Sequence, residues 1–147
     1  MKAAASLLLV FLGNGLSLSA VEIYHAQGEM AGEPTATSIL LQSRLTAISG
    51  PDLKDGDLPG ALGVACFEWD DSPDFVDAQR TSWIEALPRN DFIVRAKLED
   101  LKPGTSYHYR LVFGETSEQT QSGPVRRFKT LPAADAIAPR LVAGADV

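Results

Sequence analysis

Leu98-Glu-Asp-Leu-Lys-Pro-Gly-Thr-Ser-Tyr-His-Tyr-Arg110 is the stretch whose reading decides the fold. Leu101 closes one strand, Pro103-Gly104 makes a tight turn, and Tyr107 and Tyr109 open the next strand on a shared face. Proline fixes φ for the turn and glycine takes the positive φ that follows, so the chain reverses between two antiparallel strands. A tyrosine just past such a reversal reaches back to hydrogen-bond the upstream backbone, a corner typical of two-layer β-sandwiches.

Working outward, the same grammar recurs. In Ser38-Ile-Leu-Leu-Gln-Ser-Arg-Leu45, residues Ile39, Leu41 and Leu45 share one face, with Gln42 and Arg44 on the other. Ala65, Phe67 and Trp69 alternate likewise ahead of the acidic turn Asp70-Asp71-Ser72-Pro73-Asp74. Phe92, Val94, Ala96 and Leu98 form another row with Arg95 and Lys97 facing away, and Tyr107, Tyr109, Leu111 and Phe113 repeat it. Val125-Arg-Arg-Phe-Lys-Thr-Leu131 makes a last strand after the Gly123-Pro124 break. Period-two alternation bounded by Gly, Pro, Asp and Ser signals half-buried antiparallel strands, and about seven of them at this spacing predict an all-β, two-sheet antiparallel sandwich.

A chain of 147 residues, 45% hydrophobic and 22% charged, suits one ordinary domain with a real core. Nineteen acidic residues against 13 basic give a net charge of −6. This balance argues against nucleic acid or an anionic membrane as partner, since either would be repelled. Residues 1–20 differ from the rest. Met1-Lys2 is a short positive start, Ala3 to Leu12 is apolar or small, and Leu16-Ser-Leu-Ser-Ala20 ends on small residues. That order predicts a secretory signal peptide, hence a secreted or periplasmic product with no membrane association after cleavage. The apolar run falls short of the ~20 residues a transmembrane helix needs. Cys66 is the single cysteine, so no internal disulfide is available; it reads as a small strand residue rather than a reactive thiol.

Catalytic groups are few. His25 and His108 are the only histidines, and neither has a second histidine at metal-ligand spacing. Nucleophile elbows, phosphate-cradling glycine loops and dinucleotide fingerprints do not occur. The Asp55-Gly56-Asp57 loop lacks the ligand spacing and helices of a calcium site and reads as a solvated turn. Trp83 is the one aromatic that could line a carbohydrate platform, because Trp69 belongs to a core-facing row. Arg126 and Arg127 fall on opposite faces of a strand, which suits an exposed edge better than an anion site. No catalytic, cofactor-binding or metal-ligating residue is assigned to this chain.

Leu101-x-Pro-Gly-Thr-x-Tyr107-x-Tyr109-Arg110 resembles the E–F corner of fibronectin type III and immunoglobulin-like domains. Gly28-Glu-Met-Ala-Gly-Glu-Pro-Thr-Ala-Thr-Ser-Ile-Leu-Leu-Gln-Ser-Arg-Leu45 resembles the opening of PhoD-type alkaline phosphatases, which belong with the purple acid phosphatases among metallophosphatases. Phe67-Glu-Trp-Asp-Asp-Ser-Pro-Asp-Phe75 and Gly123-Pro-Val-Arg-Arg-Phe-Lys-Thr-Leu-Pro132 are similar to later strands of the same domain. Gln42 departs from the tryptophan often found in the second strand. The resemblance implies a fibronectin type III-like sandwich over residues 21–132. In the family this sandwich precedes a calcineurin-like domain that carries the metal ions and hydrolyses phosphate esters. The small, proline-bracketed run Leu131 to Pro139 looks like a linker, so residues 133–147 read as linker followed by Arg140-Leu-Val-Ala-Gly-Ala-Asp-Val147 as a candidate first strand of that domain or an added edge strand. Asp146 resembles the first metal-ligand aspartate at the end of such a strand, but one carboxylate cannot hold a two-metal site. The expected role is a non-catalytic accessory domain whose partner is the catalytic domain in cis. The alternatives are a free-standing adhesion or carbohydrate-binding module, or the sensing domain of a surface receptor.

Overall fold

The computed structural model of the chain describes residues 22–50 and 56–136. Among the described residues, nine strands fall into two antiparallel sheets. β1 (Glu29–Gly32), β2 (Ile39–Arg44) and β6 (Ile93–Leu98) form the first, in the order β1-β2-β6. The second is built on β3 (Gly63–Asp70) and β7 (Ser106–Thr116), paired from Val64↔Gly114 to Asp70↔His108. β4 (Gln79–Arg80) and β5 (Ile84–Ala86) lie in succession along β3. β8 (Gln119–Ser122) and β9 (Arg126–Lys129) do the same along β7. The nine segments thus trace seven strand paths, two of them interrupted. Where β4 gives way to β5, Thr81 keeps the ladder satisfied: its N–H donates to the Phe67 carbonyl at 3.0 Å, and its hydroxyl accepts the Phe67 N–H at 3.0 Å.

The core sits between the two sheets. Ile39, Phe67, Val94, Tyr109 and Phe128, one from each of five strands, are all at most 7% exposed. Burying each such side chain contributes about 1.5–3 kcal/mol. Tyr107 and Phe128 stack at 5.4 Å between centroids, and Trp69, Phe92 and Ala96 pack at the margin.

At the corner, the Tyr107 hydroxyl accepts the Lys102 N–H at 2.9 Å and Gly104 sits at φ +63°. The reversal therefore has the chemistry its sequence demands. Several strand ends differ from expectation, the last strand pairing only over Arg126–Lys129 rather than Val125 to Leu131. Leu45 is fully buried but lies outside β2, because Thr46 leaves the ladder to bridge Tyr24 and Gly60. Phe92 shares the core row but precedes β6. Asp91 and Phe92 both have positive φ, 52° and 57°, after a 3-10 turn at Pro88–Asn90, so regular pairing begins only at Arg44↔Ile93. Phe92 then lies over Gly60, where a Cβ would come within 1.9 Å of its ring.

Candidate functional site

Two ionic clusters hold most of the sandwich's buried charge. Glu68 points to the outer face of the second sheet, directly opposite Arg80 on β4 and Arg110 on β7. Its Oε1 accepts hydrogen bonds from Arg80, through Nε at 3.0 Å and through the terminal guanidinium nitrogen. Its Oε2 accepts Nε of Arg110 at 2.7 Å. Burial alone would raise the Glu68 carboxyl, but the two guanidiniums outweigh it and hold the pKa below the ordinary carboxylate range. The arginines are themselves covered in part by aromatics. The Arg110 guanidinium lies 4.6 Å from the centre of the Phe75 ring, and that of Arg80 lies 5.9 Å from Trp83. Such contacts add about 0.5–1 kcal/mol each at partly exposed sites.

The second cluster closes the open side between the layers. Glu29 on β1 and Arg126 on β9 share the inward parity of Ala31 and Phe128, yet each lies at the margin where the two sheets part. The Glu29 side chain is fully buried. Its Oε2 accepts Nε of Arg126 at 3.1 Å, while Nδ1 of His25 approaches Oε1 at 2.8 Å with angles short of a hydrogen bond. Desolvation pushes the Glu29 carboxyl up, but His25 and Arg126 prevail and lower it. Arg126 and Arg127 are both exposed on an outer strand, as the sequence predicts, but the Arg126 guanidinium is also bound to a buried carboxylate.

Both clusters neutralise carboxylates with arginine. Neither brings a nucleophile to a base, and among the described residues no group of three or more His, Cys, Asp or Glu is placed to hold a metal ion. Among the described residues, the ions that the sequence resemblance places in the following domain find no donor set. Cys66 is fully buried in β3, and burial, the leading cause, pushes its thiol up to about 11, so the thiolate is scarce at neutral pH. His108 lies on the outer face of β7, opposite Asp70 and Arg127. Trp83 is half-buried beside Arg80 rather than open to solvent. Gly56 and Asp57 are exposed, with Gly56 at φ +73° and Asp57 Oδ1 accepting the Leu58 N–H at 2.8 Å. Asp55, Asp146 and the leader at 1–20 lie outside the described residues. No described helix is long and apolar enough to cross a membrane.

Sequence reasoning missed Glu29 and Glu68 as organising groups. The only sequence sign at position 68 is a carboxylate inside an otherwise apolar run, and its arginine partners lie 12 and 42 residues away. No local pattern links them.

A two-sheet sandwich with a tyrosine corner and split outer strands is the architecture of the immunoglobulin and fibronectin type III-like domains. Residues 18–132 match the family described as "PhoD-like phosphatase, N-terminal domain", and the chain belongs to that family. Among solved structures it is similar to PhoD, with 27% identity and a TM-score of 0.59. That match covers 74% of this chain but only 19% of PhoD. It is also similar in fold to the sensor domain of the anti-sigma factor RsgI4 of Pseudobacteroides cellulosolvens, at 22% identity and a TM-score of 0.50. That match covers 80% of this chain and all of the sensor domain. No curated protein matches the chain.

Proposed function

We propose that this chain is the non-catalytic accessory domain of a secreted or periplasmic PhoD-like alkaline phosphatase or phosphodiesterase. Its leader, residues 1–20, is removed on export, and the sandwich acts as a scaffold for the metal-dependent phosphate-ester hydrolase domain that follows it in the family. The single observation that carries the reading is the family match across residues 18–132. The geometry agrees with it, because the buried carboxylates of Glu29 and Glu68 are paired with arginines that hold strands together, and buried Asp70 accepts loop amides. An adhesion or carbohydrate-binding role would call for an open aromatic platform. Trp69 packs on the core and Trp83 stands beside Arg80, so no observation favours that reading.

The test is direct. Purified chain without its leader, supplied with divalent metal and a chromogenic phosphate ester, should give no turnover above buffer. Activity that a chelator abolishes would overturn the non-catalytic assignment.

A further inference from the structure

The last strand is not loosely tethered where it ends. Thr130, 2% exposed, donates its hydroxyl to the Lys102 carbonyl at 2.7 Å and accepts the Thr105 N–H at 2.9 Å. Leu131 N–H donates to the Thr35 carbonyl at 2.9 Å, and Gly104 N–H donates to the Leu131 carbonyl at 2.8 Å. The chain therefore leaves the sandwich from a fixed point, pinned to both the β1–β2 loop and the tyrosine corner.

The β3–β4 loop stands at the same pole. Lys102 reaches it through Asp71, Nζ to Oδ2 at 2.8 Å. Buried Asp70 organises it, with Oδ1 accepting the Ser72 N–H at 3.0 Å and Oδ2 the Asp77 N–H at 3.1 Å. Phe75 is held at φ +53°, costly for a bulky side chain, and its ring is occupied by Arg110. With Phe75 turned onto the sheet, Val76 projects outward and is 79% exposed, more than any other large apolar residue described. Leu131, at the exit, is 49% exposed. Around them the pole is acidic. Lys97 and Lys102 are paired with Glu99 and Asp71, while the carboxylates of Asp74, Asp77 and Asp100 have no cationic partner among the described residues.

We infer that this pole docks the domain that follows in PhoD-like phosphatases, with Val76 seated in an apolar socket and a basic surface facing Asp74, Asp77 and Asp100. The inference rests on the accessory-domain reading above. The occupant follows from position: a domain joined at a pinned exit begins at the pole from which the chain emerges, so that pole is the nearest surface for it to meet. The charge fixes the chemistry of its face. A rigid loop that presents an apolar knob loses little entropy on contact.

The experiment is a titration of the isotope-labelled chain with the part of PhoD that lies C-terminal to its matching segment, followed by amide chemical shifts. Shifts should concentrate at residues 71–77, 99–102 and 131–135. Val76→Asp, at a site exposed enough to leave the fold intact, should weaken binding about tenfold, as loss of a desolvated apolar contact does. Met30→Asp, on the outer face of the other sheet, should leave it unchanged. Shifts centred instead on Leu62 and Phe92 at the opposite pole, or on Met30, would overturn the docking face while leaving the accessory role standing. Complete absence of shifts would overturn both.

Discussion

Replacing Tyr107 by Phe isolates one hydrogen bond at the corner that sets the topology. The side chain is 6% exposed and its hydroxyl is the acceptor for the Lys102 amide at 2.9 Å. Removing the oxygen forfeits the bond and strands a partly buried backbone N–H. The two effects together cost about 1–3 kcal/mol, with the centre of that range the best expectation. For a domain of this size that lowers the thermal midpoint by roughly 8 °C and the urea midpoint by about 1 M, with an unchanged m-value. Tyr109→Phe supplies the comparison. Tyr109 lies two residues on, on the same face and 3% exposed, and no hydrogen bond from a described residue anchors its hydroxyl. Its substitution should change stability by no more than ~0.5 kcal/mol. Urea unfolding of both variants by tryptophan fluorescence makes the measurement. Equal losses, or a larger loss for Tyr109→Phe, would refute the claim that the corner bond rather than ring burial carries the effect.

Two further outcomes follow from the buried charges and the thiol. Glu29 and Glu68 both have folded pKa values below their unfolded ones, so each contributes stability that is present above the ordinary carboxylate pKa, ~4.3, and is lost as pH falls through the lowered folded value. Glu29→Gln and Glu68→Gln should each flatten the fall in urea midpoint below pH 5 while lowering stability at neutral pH; an unaltered acid slope would contradict the assignment. Cys66, fully buried with its thiol pushed up to about 11, should resist iodoacetamide at pH 8 and react at the rate of a free thiol once urea unfolds the chain, as followed by mass spectrometry. Rapid labelling of the folded chain would show that β3 is not packed as described.

What the sequence made legible was the part written in local chemistry. Pro103-Gly104 and the tyrosines two apart identify the corner because turn geometry and side-chain parity are properties of neighbours. The rows through Ile39, Phe67, Val94 and Phe128 are legible for the same reason. Strand ends were less so. Leu45 and Phe92 satisfy the alternation, but left-handed backbone at Asp91 and Phe92 decides where pairing starts, and nothing in their side chains demands it. The ionic clusters were beyond reach. Arg126 and Glu29 are 97 residues apart and meet only once two different sheets have closed on each other. Parity placed Arg126 opposite Arg127 correctly, but parity does not say that an inward arginine at the margin will find a carboxylate waiting.

The splitting of the flanking strands carries a consequence for how this domain behaves in crowded solution. β3 and β7 run for eight and eleven residues, long enough to template a foreign chain, yet the segments beside them span only two to four. Each border of that sheet is therefore broken midway, by Thr81 to Trp83 on one side and Gly123 to Val125 on the other. On the opposite layer, the border strand β6 carries Arg95 and Lys97 outward. Those three borders, interrupted or charged, give fibril-forming neighbours no long row of free amides to extend, and the fourth, β1, is only four residues long. A fold with no disulfide to fasten it is thereby protected from joining its own copies side by side.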